Sequence, residues 1–527
     1  MITADQAEVI NFLSAPSSHG GRPVERIETH GSVLFFAGVR AWKLKRAVKY
    51  DYMDFSTAER RRIMCDAEVR LNRRTAPSIY CGVVPVTRAD SGELALGGNG
   101  PVVDWVIEMV RFDQDLLLDR LAERGALDLA LMGPLASAIT RLHTQAAHRH
   151  DHGGAGGMRW VVDGNQAAFA EQGAGVLDRD GCRVLTQDAS LAVDQHAALL
   201  DRRRATGCVR ECHGDLHLRN IVLLDGTPTL FDGIEFNDEL SCTDVLYDLA
   251  FLLMDLWRRR LPRHANAVWN GYLESMMDLE GVRLMPLFLS CRAAVRAKTS
   301  ATAASLQDDP QRRAELEVSA RDYLALAHQL LRPPSPALVA VGGLSGSGKS
   351  TVARRLAPSV GGAPGAVVIR SDEIRKRLCG VAPHERLGPD AYVEEVSRRV
   401  YAAVCERARV IVRGGHAAIA DAVFARAGDR AAIEQAARVA AVPFVGLWLE
   451  APEARLVARV EQRQSDASDA DADVVRHQLA QNTGTIGWHR VDASGDVDDV
   501  MGTARLVVSQ RLPTEAFASA GPPNHLN

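Results

Sequence analysis

The segment Gly343-Leu344-Ser345-Gly346-Ser347-Gly348-Lys349-Ser350, with Thr351 opening a helical run to Leu356, constrains this chain more than any other stretch of it. It directly follows the apolar run 337–341, so strand, glycine-rich turn and helix come in succession. The glycines let consecutive backbone amides point inward, and a helix N-terminus adds positive potential at the same place. Such a loop cradles the phosphates of a nucleotide. Lys349 has the reach for the β and γ groups, and the Ser350 hydroxyl suits Mg²⁺. Further short apolar runs at 366–369, 417–420 and 442–449 alternate with helical stretches, which predicts a parallel sheet with crossover helices.

Two carboxylates stand at the ends of those strands. Asp372, in Arg370-Ser-Asp372-Glu-Ile-Arg375-Lys-Arg377, is placed to hold an acceptor hydroxyl and take its proton, or else to cap a helix. Asp421 closes the run 417–420, where it meets Mg²⁺ or its water, or serves as a plain turn residue. Arg455, Arg459 and Arg463 recur at helical spacing before the acidic run 465–471. This predicts a lid whose arginines, Arg459 and Arg463 foremost, close over the phosphates, with a solvated stripe as the alternative.

Arg332-Pro-Pro-Ser-Pro336 removes backbone donors between a helical pattern and the strand of the phosphate loop, and reads as a linker over 332–336. The expected organisation is a small lobe over 1–110, a helical lobe over 111–331, a phosphate-loop domain over 337–511 and a frayed tail over 512–527. The glycine-rich stretch 150–157 reads as a mobile loop. Formal charge is −4, so no global basic field favours nucleic acid or an anionic membrane. The arginine runs 60–62 and 258–260 read as solvated helix faces. Nine cysteines without a CxxC pair, and a start lacking a signal-peptide pattern, point to the cytoplasm. No apolar stretch is long enough for a membrane span. His143, His148, His150 and His152 read as surface histidines, because no carboxylate or cysteine joins them at ligand spacing.

A second constellation lies in the first half. His213-Gly-Asp215-Leu-His-Leu-Arg-Asn220 has the HxDxxxxN spacing that lets Asp215 face an acceptor hydroxyl while Asn220 turns toward Mg²⁺. An apolar strand then delivers Asp232-Gly233, a second oxygen ligand for the same cation. Upstream, 32–36 and 41–45 read as strands around a turn at Gly38. Ser56-Thr-Ala-Glu59 reads as a capping box for a helix to about Arg74, with Ile63, Ala67 and Leu71 on one face.

These residues resemble two known groups. Residues 337–511 look like the small P-loop kinases of the gluconate kinase, polynucleotide 5′-kinase and chloramphenicol phosphotransferase group, carried by 343–350, 371–375 and the arginine helix. In that group the aspartate matching Asp372 is base or substrate ligand. Residues 20–330 resemble the aminoglycoside phosphotransferase-like branch of the protein-kinase fold, carried by 213–217, Phe231-Asp232-Gly-Ile-Glu-Phe236 and Asp244 with Tyr247-Asp248. The resemblance implies an α+β two-lobed kinase-like domain followed by an α/β P-loop domain. It also implies a strand lysine that binds phosphate and pairs with a helix glutamate. Lys43 and Lys45 share a strand face and either fits; Lys45 with Glu68 is preferred. His30-Gly31-Ser32 stands where a glycine-rich loop is absent, and nothing marks an aminoglycoside as acceptor. The domain order is similar to that of bifunctional bacterial phosphotransferase-like proteins. The expectation is an ATP- and Mg²⁺-dependent phosphotransferase acting on small-molecule hydroxyl acceptors at two sites. The alternatives are a polynucleotide 5′-hydroxyl kinase in the C-terminal half, or a P-loop ATPase or nucleotide sensor with a non-catalytic kinase-like domain.

Overall fold

The computed structural model describes residues 3–50, 52–171, 175–382, 385–462 and 468–517. The chain divides into two compact units, Met1–Gly164 with Ser190–Asp255, and Asn165–Ala189 with Leu256–Asn527.

The first unit opens with an antiparallel sheet of β1 (Val24–Glu28), β2 (Ser32–Ala37), β3 (Arg40–Lys45), β4 (Tyr80–Arg88), β5 (Leu94–Leu96) and β6 (Val102–Val110), in the spatial order β1-β2-β3-β6-β4-β5. Helix α1 (Ala58–Asn72) packs on it. Its N-cap is Thr57, whose hydroxyl accepts from the Arg60 amide, rather than Ser56, whose hydroxyl instead donates to Asp54. The buried face also differs from the expected one. Leu71 is buried as expected, but Ile63 is 51% exposed and Ala67 half-buried, whereas Arg61, Cys65, Glu68, Val69 and Asn72 are buried. A core face rich in polar groups defeats an apolar-periodicity reading. Each polar member has a partner, as burial requires: Arg61, expected on a solvated face, donates to both Asp104 oxygens at 2.8 Å.

Downstream, the hairpin β7 (Ile221–Leu224) and β8 (Thr227–Leu230) flanks the 213–220 loop, and α2 (Val245–Arg258) lies beneath that loop through its first turns. The stretch 150–157 is not wholly a loop. A helix spans Gly154–Glu171, and Gly153 and Gly154 take positive φ against Val209 and Asp201.

The second unit is built on five parallel strands, β9 (Leu338–Gly343), β10 (Val367–Arg370), β11 (Ala418–Asp421), β12 (Phe444–Glu450) and β13 (His489–Asp492), ordered β10-β11-β9-β12-β13. All six residues of β9 are buried, as a central strand covered on both faces demands. The sheet carries one strand more than expected: His489-Arg-Val-Asp492 has a single buried residue and lies at an edge. Helix α3 (Pro262–Met276), expected in the helical lobe over 111–331, packs with this unit, as does Asn165–Ala189. The reason is polar. Asn270 accepts from the Val368 amide at 2.7 Å and donates to Ala366 O at 3.2 Å, while Asn266 donates to Pro364 O and Ala366 O. The two asparagines thus satisfy backbone at the open edge of β10. The expected tail also begins later than 512. Ala516 is buried and its carbonyl accepts from the Gly361 amide. Residues 518–527 lie outside the described residues.

Candidate active sites

In the second unit, β9 runs into the phosphate loop and α4 (Lys349–Leu356) leaves it. Gly346 has φ 82°, and an added Cβ would lie 2.4 Å from Leu456 O, so only glycine fits there. The Ser350 hydroxyl donates to Asp421 Oδ2 at 2.6 Å. A hydroxyl and a carboxylate beside a phosphate cradle are hard oxygen ligands, the donor set Mg²⁺ takes. Arg370, at the end of β10, approaches the same pair, with Nη2 3.4 Å from Ser350 Oγ and Nε 3.4 Å from Asp421 Oδ2. Lys349 Nζ donates to Leu344 O at 2.9 Å.

The loop, the Ser350–Asp421 pair and Asp372 line one cleft of about 1800 Å³. Asp372 does not cap α5 (Ser371–Leu378) but sits in its first turn. Burial, then the neighbouring Asp421, raises its carboxyl above the usual aspartate range, with Arg370 and Lys349 pulling the other way. A proton acceptor held high and aimed into a phosphate cleft is the electrostatic form a general base takes. Arg459, on α6 (Glu453–Glu461), borders the cleft and donates to Gly495 O at 3.3 Å. Arg455 is exposed, and Arg463 lies outside the described residues. Over the cleft stands α7 (Ala472–Ala480), whose Gln478 Oε1 accepts from the Ser345 amide at 2.8 Å. Just before it, Asp469 accepts from the Leu387 amide and the Tyr392 hydroxyl and lies 3.2 Å from Lys376 Nζ.

In the first unit, the 213–220 loop is held from below by Asp248, which accepts from the Gly214 amide at 2.8 Å, from the His213 amide at 3.3 Å and pairs with His143 at 3.0 Å. Asn220 Nδ2 donates to Asp215 Oδ2 at 3.0 Å and to Asp215 O at 2.9 Å, which leaves its amide oxygen as the atom to offer a cation. His217 Nε2 lies 3.3 Å from Asp215 Oδ2. Burial lowers the pKa of His213, and its Nε2 pairs with Phe231 O at 2.9 Å. Asp232 is a non-glycine residue at φ 60°, its amide donating to the Tyr80 hydroxyl, and the Gly233 amide donates to Asn72 at 2.7 Å. Both expected lysines reach Glu68: Lys43 at 2.7 Å and Lys45 at 2.6 Å. Asn220 and Asp232 again offer oxygen, which fits Mg²⁺.

Residues 66–284 match the Phosphotransferase enzyme family, and residues 338–485 match the AAA domain family AAA_33. Over 489 residues the chain is 30% identical to Uncharacterized protein Rv2004c of Mycobacterium tuberculosis, covering 90% of this chain and 94% of that one. The chain belongs to this family of two-domain phosphotransferases. It is also similar to a choline/ethanolamine kinase family protein from Mesorhizobium loti (12% identical, 62% of this chain and 94% of that one, TM-score 0.37). A gluconokinase from Sinorhizobium meliloti is 21% identical over 34% of this chain and 97% of its own, with TM-score 0.24.

Other features of this two-domain phosphotransferase escape a reading of its sequence. His143 is fully buried against Asp248 rather than at the surface. With Cys212 these two form a compact trio, but the Asp248 oxygens already hold the 213–214 amides, and Cys212 donates to Thr243 O. That is the pattern of a loop anchor. Tyr80, Asn72 and Gln478 join the sites from positions with no motif around them, and Glu235, inside the 231–236 motif, joins through a pairing with Lys45 that the motif does not announce. Arg258, expected in a solvated run, is instead largely buried against Asp322.

Proposed function

We propose that this phosphotransferase is an ATP- and Mg²⁺-dependent kinase with two nucleotide sites, each moving a γ-phosphoryl group to a hydroxyl of a small molecule. The observation that carries the reading is the convergence of the phosphate loop, the Ser350–Asp421 pair and the raised Asp372 on one cleft. In the C-terminal site Asp372 takes the acceptor proton, Lys349 and the loop amides hold the phosphates, and Arg459 stands at the rim. In the N-terminal site Asp215 is the base, while Asn220 and Asp232 hold the cation. Mg²⁺, when bound, neutralises the charge on the transferring phosphates.

Small acceptors are favoured over a polynucleotide because the basic residues flanking Asp372 are already engaged. Arg370 pairs with Glu373, Arg375 donates to Ala391 O, and Lys376 meets Asp469. Among the described residues no helix is long and apolar enough to cross a membrane, and all nine cysteines are free thiols. A cytoplasmic enzyme drawing on the ATP pool is consistent with both.

The test is ADP release by the full-length protein across sugars, polyols, aminoglycosides and 5′-hydroxyl oligonucleotides, with Asp215→Ala and Lys349→Ala in parallel. Acceptor-stimulated release lost in one variant and kept in the other assigns that acceptor to one site. Release that ignores every acceptor and disappears only with Lys349→Ala would instead indicate a P-loop ATPase.

A further inference from the structure

Glu68 is fully buried, and its two carboxylate oxygens serve different lysines: Oε1 accepts from Lys43 and Oε2 from Lys45. Each lysine then reaches a second carboxylate. Lys43 donates to Asp232 Oδ1 at 2.6 Å, and Lys45 donates to Glu235 Oε1 at 2.5 Å. Asp232 and Glu235 stand three residues apart on the segment after β8. The two lysines of β3 therefore staple that segment to α1 through two rungs.

The rungs differ in access. Lys43 and Asp232 form the open one, with side chains 13% and 45% exposed. Lys45 and Glu235 form the closed one, at 2% and 5%, with Lys45 Nζ lying 4.9 Å from the centre of the Phe55 ring. A lysine that meets phosphate must be reachable from solvent, and a carboxylate that meets a cation must be able to part from its lysine. The open rung satisfies both conditions and the closed rung neither.

The closed rung has work of its own. If Asp232 turns to a cation and Lys43 to a phosphate, Glu68 stays buried with Lys43 shared, and buried charge without full compensation is unfavourable. Asp232 also keeps a backbone conformation that non-glycine residues resist. Both need a tie that nucleotide binding does not disturb.

We propose that Lys43, rather than Lys45, is the nucleotide-facing lysine, and that the buried Lys45–Glu235 pair is a positioning device holding Glu68 and the Asp232 segment in place as the open rung separates. The inference rests on the reading of the first unit as a nucleotide site. Lys45 and Glu235 touch no substrate; they act through Glu68 and the 232–235 segment.

The experiment is calorimetric titration of full-length protein with Mg·AMP-PNP in a Lys349→Ala background, which silences the phosphate loop. Lys43→Met is expected to weaken binding about ten- to hundredfold, the loss of a hydrogen bond to a charged group. Glu235→Gln keeps the size of the side chain and removes its charge; it is expected to weaken binding about tenfold, as loss of an outer-shell partner does. Its thermal midpoint separates this effect from unfolding, and Lys45→Arg, which retains the cation, is expected to bind within a small factor of the parent. Lys43→Met binding as the parent does, or a folded Glu235→Gln with unchanged affinity, overturns the proposal alone. A Lys349→Ala parent that binds no nucleotide overturns the nucleotide reading of the first unit together with it.

Discussion

Asp372 has to lose its proton to act as a base, and burial beside Asp421 makes that loss harder. A carboxyl raised in the folded protein stays protonated, and so inactive, up to a higher pH than an ordinary aspartate. The acid limb of kcat/KM for turnover that depends on Lys349 is therefore expected above the usual aspartate range, read from a pH–rate profile. Asp372→Asn should lower that turnover by about 10²- to 10⁴-fold, the usual contribution of a positioned base. At this scale the sequence was readable wherever residues that meet in the structure lie a few positions apart, as Asp215 and Asn220 do. It was opaque where a partner lies far along the chain. Glu235 and Lys45 are separated by 190 positions, and no local pattern announces the pair. His143 looked like a surface residue because its partner, Asp248, is 105 positions away.

Elements were legible through alternation and caps, with errors where polar groups are buried. The four apolar runs of the second half became four strands, while β13 went unseen because it offers one buried residue and much charge. On α1 the true cap follows the expected one by a residue; Thr57→Ala is expected to cost about 1 kcal/mol in a urea titration. That substitution should leave turnover that depends on Lys349 unchanged, since α1 belongs to the other unit. Asn270 on α3 carries a different weight. Replacing it with leucine leaves the Val368 amide unpaired, at a cost of about 1 to 3 kcal/mol. Because β10 ends two residues before Asp372, Asn270→Leu is also expected to raise KM for the acceptor more than for ATP, measured by steady-state kinetics on full-length protein.

For the molecule as a whole, two families of fold were apparent in the sequence, but the place where one compact unit ends was not. Composition marks the proline run, whereas packing is decided by side-chain amides that no compositional shift betrays. The second unit also carries a buried titratable group, His416, whose Nε2 lies 2.9 Å from Gly365 O. Burial lowers its pKa from 6.5 to about 4. A folded state that refuses a proton loses stability as pH falls: the contribution is complete above 6.5 and gone below about 4. It amounts to about 3 kcal/mol at full extent. Thermal midpoints recorded between pH 7 and pH 4 should fall for the wild type and fall less for His416→Gln.

The edge of β10 is covered by a helix encoded before the proline run. Were the gene cut at that run, the shorter product would expose unpaired strand backbone, an invitation to self-association. An expressed 337–517 fragment is expected to aggregate where the full-length protein stays in solution, as size-exclusion chromatography would reveal. The halves of this protein are therefore not interchangeable cassettes. Recombination that swapped one at the apparent seam would carry off part of the other, which favours the inheritance of both domains as a single unit.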